Sequence, residues 1–444
     1  MLERFFKLQA HGTNVKTEAF AGLTTFLTMS YIIFVNPHIL AAAGMPKGAV
    51  MTTTILAAAI GTLLVGLWAN VPLAMAPGMG LNAFFSFSLV KAGLVPNWQT
   101  ALGVVFVSGI FFLIITLLGI REKIVDAIPV PLRMAVAAGI GLFITFIGLK
   151  NMGLITDNPV TLVQLGKFSI PLCLALVGLI ITCVLEVKKI KGAILIGIIA
   201  TTVLALITGQ QGLPPATSLF QTPPSISAIF MKIDISSALS FGLLSAAFSF
   251  MFVDLFDSIG TIMACAHSAG MVDKKGSIRD VNKILEADAV ATVVGACLGT
   301  STTTTYIESG SGIAVGGRTG LTAVVVAMLF LACLLFTGII GIVPSYATAP
   351  ALVMVGVHMF RNIRMIDFQD IEIAIPAFLT IIIMPLTYNI SLGIAFGFIS
   401  YIIITVAAGN HKKIGLVMWA IGLLSLMQLC IQWEVISFIK KMVG

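Results

Sequence analysis

Charged residues are scarce in this 444-residue chain: Asp, Glu, Lys and Arg together make up 10% of it, against 58% hydrophobic residues and a mean hydropathy of +1.09. A soluble globular domain carries about a quarter charged residues, so that class is excluded and a polytopic membrane protein is expected. Cysteine is sparse too. The six, at 173, 183, 265, 297, 333 and 430, fall in apolar stretches with no C-x-x-C pair. That argues against a thiolate metal centre or a disulfide framework and leaves small buried packing residues as the expectation. No G-x-G-D segment occurs, which argues against an intramembrane aspartyl protease. No catalytic residue, metal or cofactor is expected.

What is present is one apolar run after another. A helix of about 20 residues crosses a hydrocarbon core of roughly 30 Å. Such runs fall near 19–40, 50–69, 71–90, 101–119, 130–149, 169–186 and 192–208, then 239–262, 284–300, 301–317, 320–342, 344–360, 372–387, 391–408 and 414–438. The first continues past Ile33 to Pro37 without an A-x-A-like site, so it reads as a membrane segment and not a cleaved signal. With the N-terminus in the cytoplasm, the basic residues at 4–16, 121–133, 188–191, 274–283, 318, 361–364 and 412–413 lie inside, and only Lys47, Lys91, Lys150, Lys167 and Lys232 lie outside. Lys440 and Lys441 fit if one of the last segments does not span, which gives fourteen crossings, uncertain by one. The net charge of +7 is then topology and contact with anionic lipid, with no nucleic-acid partner implied.

The chain also divides into similar halves. Residues 129–151, "PVPLRMAVAAGIGLFITFIGLKN", correspond loosely to 343–362, "VPSYATAPALVMVGVHMFRN". Each has an early proline, small residues in the middle and a basic-Asn end. Seven crossings per half is odd, so the second copy enters the membrane inverted, the plan of secondary transporters with a midplane site. The expected division is 1–210 for the first repeat, 236–444 for the second, and 211–235 for an extracytoplasmic connecting loop.

Corresponding segments of the two halves are interrupted: Pro77, Gly78 and Gly80 in "APGMGLNAFF", and Thr302 to Thr305 followed by Gly310, Gly312, Gly316 and Gly317 in "STTTTYIESGSGIAVGG". These residues disfavour a continuous helix and favour an extended piece leading into a short one. Their unpaired backbone groups must line a protein-walled cavity. Asn82 stands at one break and Glu308 at the other. Asp254 and Asp257 share a helix face in "FVDLFDSIGT", and Asp288 lies early in the next crossing. Intramembrane acids are functional-site hypotheses by default, although Asp254 could simply bond a neighbouring helix and Asp288 could sit at the interface. His358, near a cytoplasmic helix end, reads as packing or interface. Phe84 and Phe85, beside Asn82, offer a stacking surface.

"APGMGLNAFF", "FVDLFDSIGT" and "YIESGSGIAVGGRTGLTAVVV", together with "FFKLQAHGT" near the start, resemble the signature segments of the AzgA-like purine permeases of the nucleobase-cation symporter-2 (nucleobase-ascorbate transporter) superfamily. The likeness runs from these N-terminal residues to about residue 408. It implies an all-α polytopic protein of fourteen segments in two inverted repeats of seven, with short strands in segments 3 and 10 and separate core and gate domains. It further implies a homodimer in a bacterial cytoplasmic membrane that takes up a purine nucleobase together with a proton. Carried over position by position, it marks Asn82, Asp254, Asp257, Asp288 and Glu308 as the polar residues of transport. By their chemistry Glu308, Asn82 and Asp254, with Phe84 and Thr305, are expected to bind the base, and Asp257 and Asp288 to carry the coupling proton. Adenine permeases of this kind have Asn where this chain has Asp254, and guanine/hypoxanthine permeases of one bacterial group have Asp, so adenine, guanine and hypoxanthine all stay open.

The residues themselves suit such a ligand. A purine is flat, with N–H donors and ring-nitrogen or carbonyl acceptors on its edge, and a carboxylate such as Glu308 accepts two N–H bonds. An aromatic ring covers a face. Uracil or xanthine is the alternative nucleobase. A channel or anion carrier on the same fold is the alternative class, disfavoured by several acids near one site.

Overall fold

The computed structural model describes residues 2–119, 127–212, 222–272 and 278–433. Arg121, Lys123, Lys274, Lys275, Lys440 and Lys441 of the charge pattern, and residues 213–221 of the connecting loop, lie outside the described residues.

The first half begins with α1 (Val15–Met29) and α2 (Ile32–Ala41), which together make one apolar run, followed by α3 (Lys47–Trp68). The strand β1 (Met75–Pro77) leads into α4 (Met79–Ala83), which runs on as wider π-helical turns over Phe84–Lys91. Next come α5 (Trp98–Leu117), α6 (Val130–Asn151), an exposed hairpin of β2 (Ile155–Asn158) and β3 (Leu162–Leu165), α7 (Ile170–Val187) and α8 (Ala193–Ile207). The second half holds α9 (Phe241–Ala269), α10 (Val281–Leu298), the strand β4 (Thr303–Thr305) and α11 (Ser309–Ala314). It ends with α12 (Gly320–Ala332), α13 (Ser345–Phe360), α14 (Ile371–Thr387), α15 (Ile390–Ala407) and α16 (Leu416–Gln432). Among the described residues, eight helical runs are long and apolar enough to cross a membrane, and three apolar helices are shorter. The protein is therefore a mostly helical, multi-pass membrane protein.

Local chemistry sets the helix starts. Asn14, Asn97, Ser169 and Asn389 each accept an amide hydrogen from the first turn of α1, α5, α7 and α15, satisfying donors that lipid cannot. Gly270, at φ 67°, ends α9 in the left-handed conformation that costs glycine nothing.

β1 and β4 pair antiparallel, Met75 with Thr305, Ala76 with Thr304 and Pro77 with Thr303. Pro77 has no N–H, and threonine favours extended backbone, so both segments leave the helical state here. The outer edges of this two-strand ribbon are closed by threonines. On α3, the Thr62 hydroxyl donates to the Met75 carbonyl (3.0 Å) and accepts from its N–H (2.9 Å). On α10, the Thr292 hydroxyl lies 3.1 Å from the Thr303 carbonyl. Every residue of both strands is buried.

Around the ribbon, α3 packs on α10 and α12, α5 on α9 and α10, and α1 on α12. The remaining helices pair among themselves: α6 with α13 and α14, α7 with α8 and α13, α8 with α13, and α15 with α6 and α14. At the α6–α13 crossing, a Cβ on Gly356 would come within 2.5 Å of the Gly141 carbonyl, so the two backbones touch. One expectation is corrected. Only Cys265 is a buried cysteine; Cys183 is exposed and the other four are half-buried, because a thiol is apolar enough to sit on an outward helix face.

Candidate substrate site

Glu308 follows β4 and sits at the start of α11, in the turn where the backbone changes from extended to helical. It has a neutral partner that the sequence did not suggest. The Tyr31 hydroxyl, at the junction of α1 and α2, donates to Glu308 Oε1 at 2.5 Å, and no described side chain donates to Oε2. Glu308 is half-buried, whereas the adjoining Tyr306 and Ser309 are buried. Tyr306 donates its hydroxyl to the Pro77 carbonyl (2.6 Å), and the Ser309 hydroxyl accepts from the Ala74 N–H (3.0 Å). Both breaks are thus fastened to one another on either side of Glu308.

Asn82 adds a further fastening. It is wholly buried, accepts a short hydrogen bond from the Ser301 hydroxyl, and directs its amide toward the Pro77 carbonyl at 3.5 Å. Its side chain thereby ties α4 to the approach of β4. Phe84, also wholly buried, stacks on Phe250 of α9 with ring centroids 4.5 Å apart and planes 15° from parallel. Thr305 is buried with its hydroxyl unpaired among the described residues.

The aspartates gather beside this ribbon. Asp254, 1% exposed, has Oδ2 3.1 Å from the Thr292 hydroxyl and no partner for Oδ1. That hydroxyl has one proton for two acceptors, Asp254 and the Thr303 carbonyl. Both contacts are satisfied together only when Asp254 supplies a proton of its own. Asp288, 0% exposed, has neither oxygen in good hydrogen-bonding geometry, although the Ser258 hydroxyl and the Thr305 N–H lie beside it. It lies close enough to repel Asp254, and Asp257 is close enough to repel both. Asp257, one turn beyond Asp254, is half-buried and within repulsive range of Glu308. The structure therefore brings all four acids into one cluster running from α9 and α10 to the β4–α11 turn. No cluster of His, Cys, Asp and Glu suited to a metal ion occurs among the described residues.

Tyr31, Tyr306, Thr292 and Phe250 were not singled out from the sequence. A signal existed for two of them: the chain has only five tyrosines, one of which lies two residues before Glu308 and another in the middle of the first apolar run.

The sequence model of the Permease family matches residues 16–396. The chain belongs to this family, the nucleobase-ascorbate transporters. It is a permease and not an enzyme. It is 50% identical to a putative permease of Methanocaldococcus jannaschii over 93% of this chain and 94% of that protein. It is 43% identical to the adenine permease AdeP of Escherichia coli (97% and 96% covered) and 43% identical to the guanine/hypoxanthine permease PbuG of Bacillus subtilis (95% and 97%). Among solved structures, the transmembrane domain of the cyanobacterial bicarbonate transporter BicA superposes with a TM-score of 0.62 over 89% of this permease and 97% of that chain. At 18% identity that likeness carries the fold alone.

Proposed function

We propose that this permease takes up a purine nucleobase, adenine, guanine or hypoxanthine, together with a proton. Glu308 carries the reading. A carboxylate at the junction of a paired strand and a helix, with one oxygen held by Tyr31 and the other open, suits two adjacent N–H groups on the edge of a base. Relatives named for purines at 43% identity support the ligand class.

In this reading the base lies against the β1–β4 ribbon. Thr305 offers a free hydroxyl, and Phe84 with Phe250 forms an apolar wall. Asp254 reaches the base or its hydrogen-bond network through Thr292, and Asn82 fixes the distance between the two breaks. Asp257 and Asp288 hold the coupling proton. An ionised carboxylate buried without partners is costly, so the acid takes a proton when the occupied site closes around it and gives it up once the site opens inward to water, and the empty carrier returns without the proton.

The packing supports two inverted repeats of seven segments, 1–210 and 236–444. Exchanging the segments of one half for those of the other turns α3 on α12 into α10 on α5, α1 on α12 into α9 on α5, and α7 on α13 into α14 on α6. It also turns Thr62 on the first residue of β1 into Thr292 on the first residue of β4. The first four and the eighth to eleventh segments then make a core that carries the site, and the others a gate. The N-terminus is cytoplasmic and the membrane is the cell membrane.

The test is uptake of radiolabelled bases in a host lacking purine transport, with unlabelled purines, uracil and xanthine as competitors. Saturable uptake of one of the three purines, abolished by dissipating the proton gradient, is expected. Uptake displaced only by uracil or xanthine, or by bicarbonate, overturns the assignment.

A further inference from the structure

We propose that Ser88 and Tyr388 form an outer latch, which shuts the base site off from the outside while it is open to the inside and must part before a base can enter. The inference rests on the core-and-gate reading and the orientation given above. One face of α9 shows which way the site is open. Phe250, Asp254, Asp257, Gly260, Ala264 and His267 follow one another along it at helical spacing. The first two are buried, Asp257 is half-buried, and the last three, toward the cytoplasmic end, are exposed. Beside that open stretch the Cys265 thiol lies 3.9 Å from the Ile307 carbonyl, and Ile307, next to Glu308, is 56% exposed.

On the other side of the site the way is filled. Beyond Phe84 the π-helical turns bring Ser88, wholly buried, against the two-residue turn between α14 and α15. The Ser88 hydroxyl donates to the Tyr388 carbonyl at 2.6 Å. That bond joins core to gate, because Ser88 continues α4 in the third segment and Tyr388 connects two gate helices. The Tyr388 ring closes the space around it. Its centroid lies 5.8 Å from Phe143 and 5.4 Å from Phe146 of α6, both edge-on, and 6.3 Å from Phe87. Lys150 braces the ring, with Nζ 5.4 Å from its centroid and 2.8 Å from the Asp157 carboxylate of β2.

Ordinary packing between helix ends would account for the ring contacts alone. It does not account for the backbone on the two sides of the bond. Tyr388 has φ 53°, the left-handed conformation that is uncommon and costly for a residue with a bulky side chain. Such a conformation persists only where its surroundings hold it, and such residues gather at switch regions. The segment that holds it is unusual as well, since π-helical turns are rare and occur mostly at functional sites. Elsewhere core and gate meet through apolar surface: a Cβ on Gly80 of α4 would come within 2.6 Å of the Ile140 side chain on α6, and Phe252 of α9 meets Phe398 of α15 edge-on at 5.2 Å. Apolar surfaces slide without losing a directed bond. The Ser88 bond fixes one position of the core against the gate, the one in which the outer side is shut.

The experiment measures exchange of a labelled purine at equal pH by the full-length protein, in right-side-out and in inside-out membrane vesicles, so that KM is read from each side. Loss of the latch raises the share of carrier that faces out, and apparent affinity from a given side scales with the share that faces it. Ser88→Ala is expected to lower the outer KM about fivefold, the population shift that one lost hydrogen bond produces, and to raise the inner KM by less than about twofold. An unchanged outer KM overturns the proposal. So does movement of both KM values in the same direction by the same factor, since Ser88 would then act on the base site or on the fold. If Ser88→Ala fails to reach the membrane, Tyr388→Gly, which removes the ring while suiting the left-handed turn, carries the same test. Wild-type protein that moves no purine contradicts the transport reading instead, and the latch is then judged by hydrogen exchange of the empty carrier. Faster exchange over residues 84–91 and 386–390 in Ser88→Ala supports it, and wild-type exchange over both segments overturns it.

Discussion

Glu18 and Asp288 are both wholly buried carboxylates in membrane helices, yet they are surrounded in opposite ways. Glu18, on α1, accepts from the N–H groups of Arg318 (2.9 Å), Thr319 (3.3 Å) and Thr322 (3.1 Å) and from the Thr322 hydroxyl (2.6 Å). It closes the start of α12, supplying acceptors to donors that would otherwise face lipid or protein unpaired. Asp288, on α10, has neither oxygen in good hydrogen-bonding geometry with the donors beside it, the Ser258 hydroxyl and the Thr305 N–H, and has other acids for neighbours. Burial alone does not separate a structural acid from a working one. Hydrogen-bond satisfaction does: a saturated carboxylate has its acceptor positions taken up by the fold, whereas an unsatisfied one has them free to meet a proton or a ligand.

That contrast can be broken by substitution. The largest effect is expected at Glu18→Ala, which orphans several buried donors and lowers stability by about 4 kcal/mol. Thermal unfolding in detergent, or loss of the monodisperse peak, reads this, and a wild-type unfolding temperature would remove Glu18 from its structural role. Glu308→Gln comes next. It leaves the fold in place but weakens base binding about 100-fold, roughly 2.7 kcal/mol, because an amide turns a donor toward the base's N–H. Calorimetric binding within twofold of wild type contradicts the assignment.

Asn82→Ala loses the Ser301 hydrogen bond and loosens the two breaks relative to each other. Affinity is expected to fall about fivefold to tenfold, near 1 kcal/mol, with protein still present in the membrane. A variant that fails to accumulate would show that this bond holds the fold and not the site. The smallest effect on stability is expected at Asp288→Asn, where an amide of the same shape replaces an acid that no donor holds in good geometry: a change under about 1 kcal/mol in either direction. Destabilisation as large as that of Glu18→Ala would erase the distinction between the two regions.

The sequence made the helices legible because each apolar run is bounded by caps, glycines and basic residues that a bilayer imposes. It also made the breaks legible: Pro77 and Gly78 on one side, and a run of threonines on the other, cannot continue a buried helix without penalty. The partners were not legible. Met75 pairs with Thr305, and Tyr31 reaches Glu308 across 277 residues; nothing local to either segment specifies the other. The hairpin of β2 and β3 and the π-helical turns of Phe84–Lys91 likewise come from tertiary context. Glu18 went unremarked because, near the cytoplasmic start of α1, it looks like an ordinary first-turn acid, and only its four donors from α12 and the preceding loop reveal its work. Asp254, Asp257 and Asp288 stood out for the opposite reason, that acids within apolar runs have no local means of neutralisation.

The most direct test measures protons and base together. Purified protein is reconstituted with a pH-sensitive dye trapped inside, and labelled adenine, guanine or hypoxanthine is added outside without an imposed gradient. The account predicts that the wild-type lumen acidifies in step with purine uptake, and that Asp288→Asn, though as stable as wild type, exchanges purine without acidification. Purine uptake by the wild type with no change in lumenal pH, or acidification undiminished in Asp288→Asn, would contradict it.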